Sequence, residues 1–136
     1  MKDTLKVGSH HSVNHVVEAG KTISFMGDDL RIYSTPSMVF DLETACRQLL
    51  SFHHDSGEDS VGSRVEIDHL APTLLGQTIE IHCTVKELNL PRVVFQVEIK
   101  DEVDLIGSAV HTRFVVDVLK QKSRIEKKKE RTLNLK

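Results

Sequence analysis

Apolar and polar residues alternate along several stretches in the second half of the chain. On three of them one side is apolar: Ile79, Ile81, Cys83 and Val85; Val93, Phe95, Val97 and Ile99; and Val110, Phe114, Val116 and Val118. A period of two predicts β-strands, which we place at residues 60–68, 77–88, 92–100 and 104–118. One apolar face per strand is typical of an antiparallel sheet that is covered on one side.

The stretch STPSMVFDLETACRQLLSFHH instead follows a helical period. Its apolar stripe consists of Met38, Val39, Leu42, Ala45, Cys46, Leu49, Leu50 and His53. Thr35 fits the N-cap of this helix, and Pro36 fits the first helical position, where its missing N–H costs nothing. At about 100° per residue, Glu43 lies at the rim of the stripe, and Asp41 and Arg47 point further out.

Before the helix the pattern predicts extended segments at residues 11–18 and 21–25, followed by the polar turn GDDLRIYS. The order is then extended segments, one long helix and four strands in a meander. This order predicts an α+β fold in which a curved antiparallel sheet wraps around the helix. Because an open sheet leaves unpaired edges, we expect a homodimer that protects one of them.

Composition narrows the class of protein. The chain has 136 residues, enough for one domain, of which 39% are hydrophobic and 28% charged. No apolar run reaches the ~20 residues of a membrane helix, and the first residues lack a signal-peptide core. Cys46 and Cys83 lack zinc-site spacing and are interpreted as buried thiols of a cytosolic protein. With one Tyr and no Trp, a base-stacking surface for nucleic acid is not expected.

Charge is unevenly distributed along the chain. Residues 120–136 carry eight basic and two acidic side chains, a local charge of +6. Residues 1–119 carry ten basic and eighteen acidic side chains, or −8. We therefore divide the chain into one domain, 1–119, and a basic C-terminal helix or frayed tail, 120–136. A solvated helix is the simpler interpretation of the tail, and contact with an anionic partner is the alternative.

The candidate reactive residues are ambiguous when each is taken alone. Thr35 is explained by capping, although a helix N-terminus also stabilises charge that develops on a carbonyl oxygen. A rim carboxylate such as Glu43 is usually solvated, and His69, where a strand ends before Pro72, reads first as structural. Arg113 shares one strand face with His111 and could meet a buried carboxylate or a phosphate.

The remaining histidines do not form a metal site in the sequence. They are His10, His11 and His15 near the start of the chain, and His53 and His54 after the helix. No cysteine or carboxylate completes a zinc pattern, and neighbouring strand residues point to opposite faces. We expect no metal.

Taken together, these motifs resemble the hotdog-fold acyl-CoA thioesterases, and most closely the fluoroacetyl-CoA thioesterase branch. The resemblance runs over residues 3–118 and includes KVGSHHSVNHVV, the helix, EDSVGSRVEIDHLAPTLLGQTIEIHCTV and VDLIGSAVHTRFVVDV. It implies a catalytic set of Thr35, Glu43 and His69, with the spacings of that branch. The family's glycine before the histidine strand matches Gly62, and its Gly-Ser…His-x-Arg motif matches Gly107, Ser108, His111 and Arg113.

The resemblance implies hydrolysis of a small or medium acyl-CoA, in which Glu43 attacks the carbonyl or activates water. His69 would move a proton, Thr35 would orient Glu43 or the substrate, and Gly62, Arg113 and Tyr33 would contact the substrate. No cofactor is implied, since coenzyme A is part of the substrate. The assembly implied is a homodimer, with a dimer of dimers left open.

One departure from the branch concerns selectivity. The fluoroacetyl-CoA enzyme has a longer segment before the helix, with a phenylalanine lid, whereas GDDLRIYS is shorter and polar. Its only apolar candidates are Leu30, Ile32 and Tyr33, so fluoroacetyl selectivity is not expected. Two other functions stay open: an enoyl-thioester hydratase or dehydratase of the same fold, and a non-catalytic acyl-CoA-binding module.

Overall fold

The computed structural model describes all 136 residues and contains five strands and two α-helices. The elements are β1 (His10–Val16), α1 (Thr35–Ser51), β2 (Glu58–His69), β3 (Thr78–Asn89), β4 (Arg92–Lys100), β5 (Leu105–Asp117) and α2 (Val118–Leu133). Two short 3₁₀ turns, Ala19–Lys21 and Asp28–Leu30, lie between β1 and α1. The predicted α+β layout of one helix against an antiparallel sheet is confirmed.

The strand order is β1-β3-β4-β5-β2, with every neighbouring pair antiparallel. The prediction that four consecutive strands form a meander is therefore wrong. Only β3, β4 and β5 form one, and β2 crosses to the far edge, where it pairs with β5. Periodicity within a strand cannot reveal this, because both arrangements cover the same apolar faces. The edges of the sheet are β1 and β2.

The core lies between α1 and the inner face of the sheet. Nineteen buried apolar residues form one cluster, including Met38, Leu42, Leu49 and Leu50 of α1 and the predicted inner residues of β3 and β4. Each fully buried Leu or Ile side chain contributes about 1.5–3 kcal/mol through removal of apolar surface from water. Cys46 and Cys83 are free and buried, as expected.

The inner face of β5 differs from the prediction. Val110, Phe114 and Val116 are only half-buried, and Val118 already belongs to α2. The buried positions of the strand include Ala109, His111 and Arg113. The side of β5 that faces α1 carries polar side chains. They are stabilised there by hydrogen bonds to one another and to the backbone.

The segment between β1 and α1 is less regular than predicted. Residues 21–25 form no strand. The β-pairing of the segment is limited to two isolated bridges, Thr22–Tyr33 within it and Ile32–Leu74 to the loop after β2. At the other end of the chain, α2 follows β5 directly and has no buried residue. Neither helix combines the length and apolarity that crossing a membrane requires.

Candidate active site

The start of α1 is capped by Ser34, so the prediction that Thr35 is the N-cap is wrong. The Ser34 side chain accepts a hydrogen bond from the backbone N–H of Ser37, and Thr35 and Pro36 occupy the first two helical positions. The sequence offers two adjacent hydroxyl residues, and either could cap. Because Ser34 caps the helix, the Thr35 hydroxyl is available for another partner.

That partner is His69, which lies at the end of β2. Thr35 Oγ1 and His69 Nδ1 are 2.7 Å apart. We call these two residues the Thr35–His69 pair. If the ring donates to the hydroxyl, Nε2 has a free lone pair and can act as a base. If the hydroxyl donates to the ring, Nε2 carries the proton and can act as an acid.

The second ring nitrogen of His69 has no partner within the chain. Nε2 is covered and makes no hydrogen bond, which is unusual for a buried polar atom. Burial lowers the pKa of His69 below its ordinary value. The ring is therefore neutral at pH 7 and able either to accept a proton or, in the other tautomer, to donate one.

The Thr35–His69 pair lies in a cleft of about 490 Å³. Its walls are mostly apolar and come from the segment before α1 and the loop after β2: Ile23, Phe25, Ile32, Tyr33, Leu70, Ala71 and Pro72. Phe25 is 81% exposed at the rim. Of the three apolar candidates in GDDLRIYS, Ile32 and Tyr33 line the cleft and Leu30 does not. The cleft can hold an uncharged chain beside the polar pair.

Tyr33 contributes its ring, and not its hydroxyl, to this cleft. The side chain is buried, and its hydroxyl donates a 2.6 Å hydrogen bond to the Asp41 carboxylate. The prediction that Asp41 points away from the core is therefore wrong: it is 3% exposed and also accepts hydrogen bonds from Lys21. Burial and the Asp41 carboxylate both raise the pKa of Tyr33.

Glu43 lies in a second group of residues, further along α1. The carboxylate is half-buried and faces Gly62 of β2: a Cβ added to Gly62 would lie 3.0 Å from Glu43 Oε1. The same Cβ would lie 3.2 Å from His111 Cε1 and 3.4 Å from Arg113 Nη1. Gly62 is thus the point where these three side chains meet. We call Glu43, Gly62, His111, Arg113 and Ser60 the Glu43 cluster.

Arg113 is fixed in this cluster by uncharged partners. Its guanidinium donates to Ser60 Oγ (2.9 Å), to the Ser60 carbonyl (2.8 Å) and to His111 Nε2 (3.2 Å). Burial lowers the pKa of Arg113, and the charge of Glu43 opposes this effect. Asp41 and Arg47 of the same helix are ion-paired, but the Glu43 carboxylate takes part in no ion pair. Arg113 therefore places a positive charge near the Glu43 carboxylate without forming an ion pair with it.

The contacts of His111 define its protonation state. Nδ1 lies 2.7 Å from the carbonyl oxygen of Arg64, which can only accept, so Nδ1 carries the proton. Nε2 faces the guanidinium of Arg113, which can only donate, so Nε2 is an acceptor. Burial, and to a smaller extent the positive charge of Arg113, lowers the pKa of His111. His111 is therefore a neutral residue that holds Arg113.

Within one chain the structure brings together Thr35 and His69, but it does not bring Glu43 to them. Eight residues of α-helix separate Thr35 from Glu43, a rise of about 12 Å along the axis. The cleft around Thr35 and His69 does not include Glu43. Gly62 and Arg113, in contrast, do lie at Glu43. The six predicted site residues thus form two groups, with Tyr33 in the first.

Sequence reasoning missed several residues that these two groups use. Ser60 and His111 hold Arg113, Asp41 and Lys21 anchor Tyr33, and Phe25 lines the cleft. The shared strand face of His111 and Arg113 was the one signal visible in the sequence. The other contacts join residues far apart in the chain, and no local pattern encodes them.

The remaining histidines and the basic helix lie elsewhere. On the outer face of the sheet the rings of His10 and His82 lie 5.4 Å apart, and His82 Nε2 is 2.8 Å from Glu80. The structure contains no group of three or more His, Cys, Asp or Glu residues with metal-site geometry. The lysines and arginines of α2 are all exposed.

The chain was compared with known protein families and curated proteins. The sequence profile described as Fluoroacetyl-CoA-specific thioesterase matches residues 17–119. A fluoroacetyl-CoA thioesterase from Streptantibioticus cattleyicolor is 27% identical over 135 residues, which cover 94% of this chain and 97% of that protein.

Solved structures give the same picture of the fold. A hypothetical protein of Thermus thermophilus, described as a thioesterase superfamily member, matches with a TM-score of 0.87 and 27% identity, over 95% of this chain and 96% of its own. A hot-dog-like protein from Thermanaerovibrio acidaminovorans matches with a TM-score of 0.83 and 24% identity, over 90% and 91% of the two chains. The predicted hotdog fold is therefore confirmed.

Proposed function

Because this chain belongs to the fluoroacetyl-CoA-specific thioesterase family, we propose that it hydrolyses an acyl-CoA thioester to a free acid and coenzyme A. The observation that carries this proposal is the Thr35–His69 pair. A neutral histidine with a free ring nitrogen lies beside the N-terminus of α1, in a mostly apolar cleft. The cleft accepts an acyl chain, and the helix N-terminus stabilises negative charge on the thioester oxygen.

In the proposed mechanism Glu43 and His69 share the work of hydrolysis. The Glu43 carboxylate attacks the thioester carbon and expels the CoA thiolate, which leaves a mixed anhydride that water then hydrolyses; alternatively, it removes a proton from the water that attacks the thioester directly. His69 Nε2 protonates the departing CoA thiolate or activates water, according to its tautomer. Arg113 supports the developing negative charge from its fixed position behind Gly62. Thr35 keeps the His69 ring in orientation. No metal or further cofactor enters this scheme.

This mechanism requires Glu43 to meet a His69 that its own chain does not bring to it, and a homodimer meets this requirement. β2 is an edge strand, and its residues 61–64 are exposed. In the register we propose, two β2 strands pair antiparallel with Glu66 opposite the partner subunit's Glu66. Ile67 then lies opposite the partner subunit's Val65, so the inner faces of the two sheets would be continuous.

A bulge in β2 completes the register. The pairing with β5 shifts between Gly62 and Arg64, which leaves Ser63 as the extra residue. Counting past this bulge, the proposed pairing would set His69 of one copy opposite the partner subunit's Gly62, and therefore beside that copy's Glu43. On the outer face Arg64 then meets the partner subunit's Asp68, a favourable charge pair. Each active site would thus combine the Thr35–His69 pair of one subunit with the Glu43 cluster of the other.

The acyl group we propose is small or medium in length and is not restricted to fluoroacetyl. The cleft wall is formed by Ile23, Phe25 and Ile32, and between Phe25 and Ile32 the chain forms only the short 3₁₀ turn Asp28–Leu30. We also propose a reducing compartment, the cytosol, since the free thiols Cys46 and Cys83 belong to the packed core.

The proposed activity is tested with a panel of acyl-CoAs of graded length and a thiol-detecting reagent. We expect release of coenzyme A with at least one saturated acyl-CoA, and loss of about 10²- to 10⁴-fold in kcat in His69→Ala. Hydration of crotonyl-CoA without thiol release would instead indicate a hydratase. Acyl-CoA binding with no turnover of the panel would indicate a binding module.

The shared site is tested by mixing two inactive variants, Glu43→Gln and His69→Ala, after dissociation and reassociation. A mixed dimer has one site with both substitutions and one site with neither. Random mixing therefore restores about one quarter of the wild-type activity if the sites are shared between subunits. No restoration, with mixed dimers shown by size and mass, would mean that each site takes Glu43 and His69 from the same chain and would overturn the shared site.

A further inference from the structure

A buried polar cluster around Asp41 adjoins the proposed site and shares Tyr33 with it. The Asp41 carboxylate, 3% exposed, accepts hydrogen bonds from Lys21 Nζ at 2.8 and 3.0 Å and from the Tyr33 hydroxyl at 2.6 Å. A carboxylate is seldom buried unless it is paired, because its charge is costly to remove from water. Asp41 is thus the best-satisfied carboxylate of α1, and it has no part in the mechanism above.

Both donors come from the segment that precedes α1. Two backbone contacts accompany the side-chain bonds: Ser34 N–H donates to the Lys21 carbonyl at 2.9 Å, and Thr22 pairs with Tyr33. Asp41 lies six residues beyond Thr35 on the same helix. The carboxylate therefore holds this segment against the first two turns of α1, where the proposed catalytic hydroxyl lies.

Tyr33 connects this anchor to His69. Its hydroxyl donates to Asp41, while the edge of its ring contacts the His69 ring, with centroids 6.4 Å apart and planes at 70°. The Tyr33 backbone N–H donates to the Thr73 carbonyl at 2.8 Å, which ties it to the loop after His69. Thr35 holds one ring nitrogen of His69, and Tyr33 supports a face of the cleft beside the ring.

We propose that Asp41 is a positioning residue for His69, acting through the Tyr33 hydroxyl and ring. The inference rests on the proposed function, in which His69 moves the proton. Lys21 supplies the charge that lets Asp41 stay buried. The pairing of a buried carboxylate with a tyrosine fixes the tyrosine ring more firmly than packing alone, because a charge-assisted hydrogen bond is short and directional. A fixed ring limits the rotation of His69.

The test uses Tyr33→Phe, which keeps the ring and removes only the hydroxyl, and Asp41→Asn, which removes the charge. We expect each to lower kcat about tenfold or more, with a smaller change in KM, because small displacements of a reacting group are costly. The double variant should lose no more than the stronger single variant, since both act through one hydrogen bond. Asp28→Asn, which breaks the exposed Arg31–Asp28 pair of the same segment, is the matched control and should keep wild-type kcat.

A second readout separates positioning from stability alone. In a His69→Ala background, Asp41→Asn should cause no further loss of the residual activity, and in the otherwise native chain it should shift the NMR signals of the His69 ring. Wild-type kcat in folded Tyr33→Phe and Asp41→Asn, or an equal loss in the His69→Ala background, would overturn the inference. Full activity of His69→Ala itself would instead overturn the proposed function.

Discussion

The Thr35–His69 pair and the Glu43 cluster each take one residue from α1, Thr35 and Glu43, but they are built in opposite ways. The pair is near the surface, depends on one hydrogen bond between side chains, and leaves Nε2 of the ring unpartnered. In the cluster Ser60, His111 and Arg113 are buried, and Arg113 is held by three hydrogen bonds to neutral groups. The pair is suited to moving a proton, whereas the cluster is suited to fixing a charge.

This difference would allow one helix to serve both halves of the proposed reaction. A proton carrier must exchange with solvent or substrate, so it belongs at the rim of a cleft. A fixed charge acts most strongly where water is excluded. The separation of about 12 Å along α1 keeps the two functions apart within a subunit, and pairing of two β2 edges would bring them together between subunits.

The largest expected effect comes from removing the negative charge of Glu43. Glu43→Gln keeps the shape of the side chain but removes the nucleophile or base, so kcat should fall by about 10²- to 10⁴-fold. Stability should change little, because the carboxylate takes part in no ion pair within the chain. Measurement of acyl-CoA hydrolysis beside thermal unfolding checks both statements. Activity near wild type would remove Glu43 from the mechanism and leave the pair as the whole site.

Gly62→Ala tests the geometry of the cluster without changing any charge. The new methyl group would lie 3.0 Å from Glu43 Oε1 and 3.2 Å from His111 Cε1, so the Glu43 side chain must move. We expect a loss of about 10²-fold in kcat, with the fold retained. Gly20→Ala is the control, because an added Cβ there meets no atom within 4 Å. Equal activity of the two variants would show that the position of Glu43 is not critical.

The apolar and polar parts of the sheet also differ in how far the sequence predicts them. The alternation in β3 and β4 was sufficient to predict both strands, because their inner residues are all apolar. For β5 the alternation predicts the strand but assigns the wrong inner face: His111 and Arg113 lie inside, and Val110 and Phe114 lie outside. Functional sites often break the local pattern in this way, because buried polar groups satisfy one another there.

Asp41 shows the second limit of the sequence. Helical projection placed it away from the apolar stripe, which is the ordinary position for a charged residue. Its burial depends on Lys21 and Tyr33, whose contacts with it form only in the folded chain. The spacing of Thr35, Glu43 and His69 suggested one catalytic set, but only the structure shows that one chain joins two of the three. Their catalytic roles stay predictions.

His111 allows a smaller and more selective change in the cluster. Glutamine can replace both of its contacts, since an amide can donate to the Arg64 carbonyl and accept from Arg113. Leucine can replace neither and leaves a guanidinium donor unpaired. We expect His111→Leu to lower kcat about tenfold or more, and His111→Gln to retain most of it. Equal kcat values in the two folded variants would show that the hydrogen bond to Arg113 has no role in positioning the charge.

The smallest expected effect concerns stability at low pH and comes from His111, the buried histidine of the cluster. Burial lowers the pKa of His111 below the ordinary 6.5. Below pH 6.5 the unfolded chain therefore binds a proton at this residue that the folded chain resists, so the free energy of unfolding falls as pH falls. His54 and His69 contribute in the same direction.

Since His111→Gln removes one of these three contributions, the loss of melting temperature between pH 7.5 and pH 5.5 should be smaller in the variant than in the wild type. The difference should be a few degrees, because about 1 kcal/mol shifts the melting temperature of a domain of this size by roughly 3–5 °C. Thermal unfolding followed by circular dichroism at the two pH values measures it. An equal or larger loss in the variant would mean that His111 accepts a proton in the folded protein, and that Arg113 does not hold it neutral.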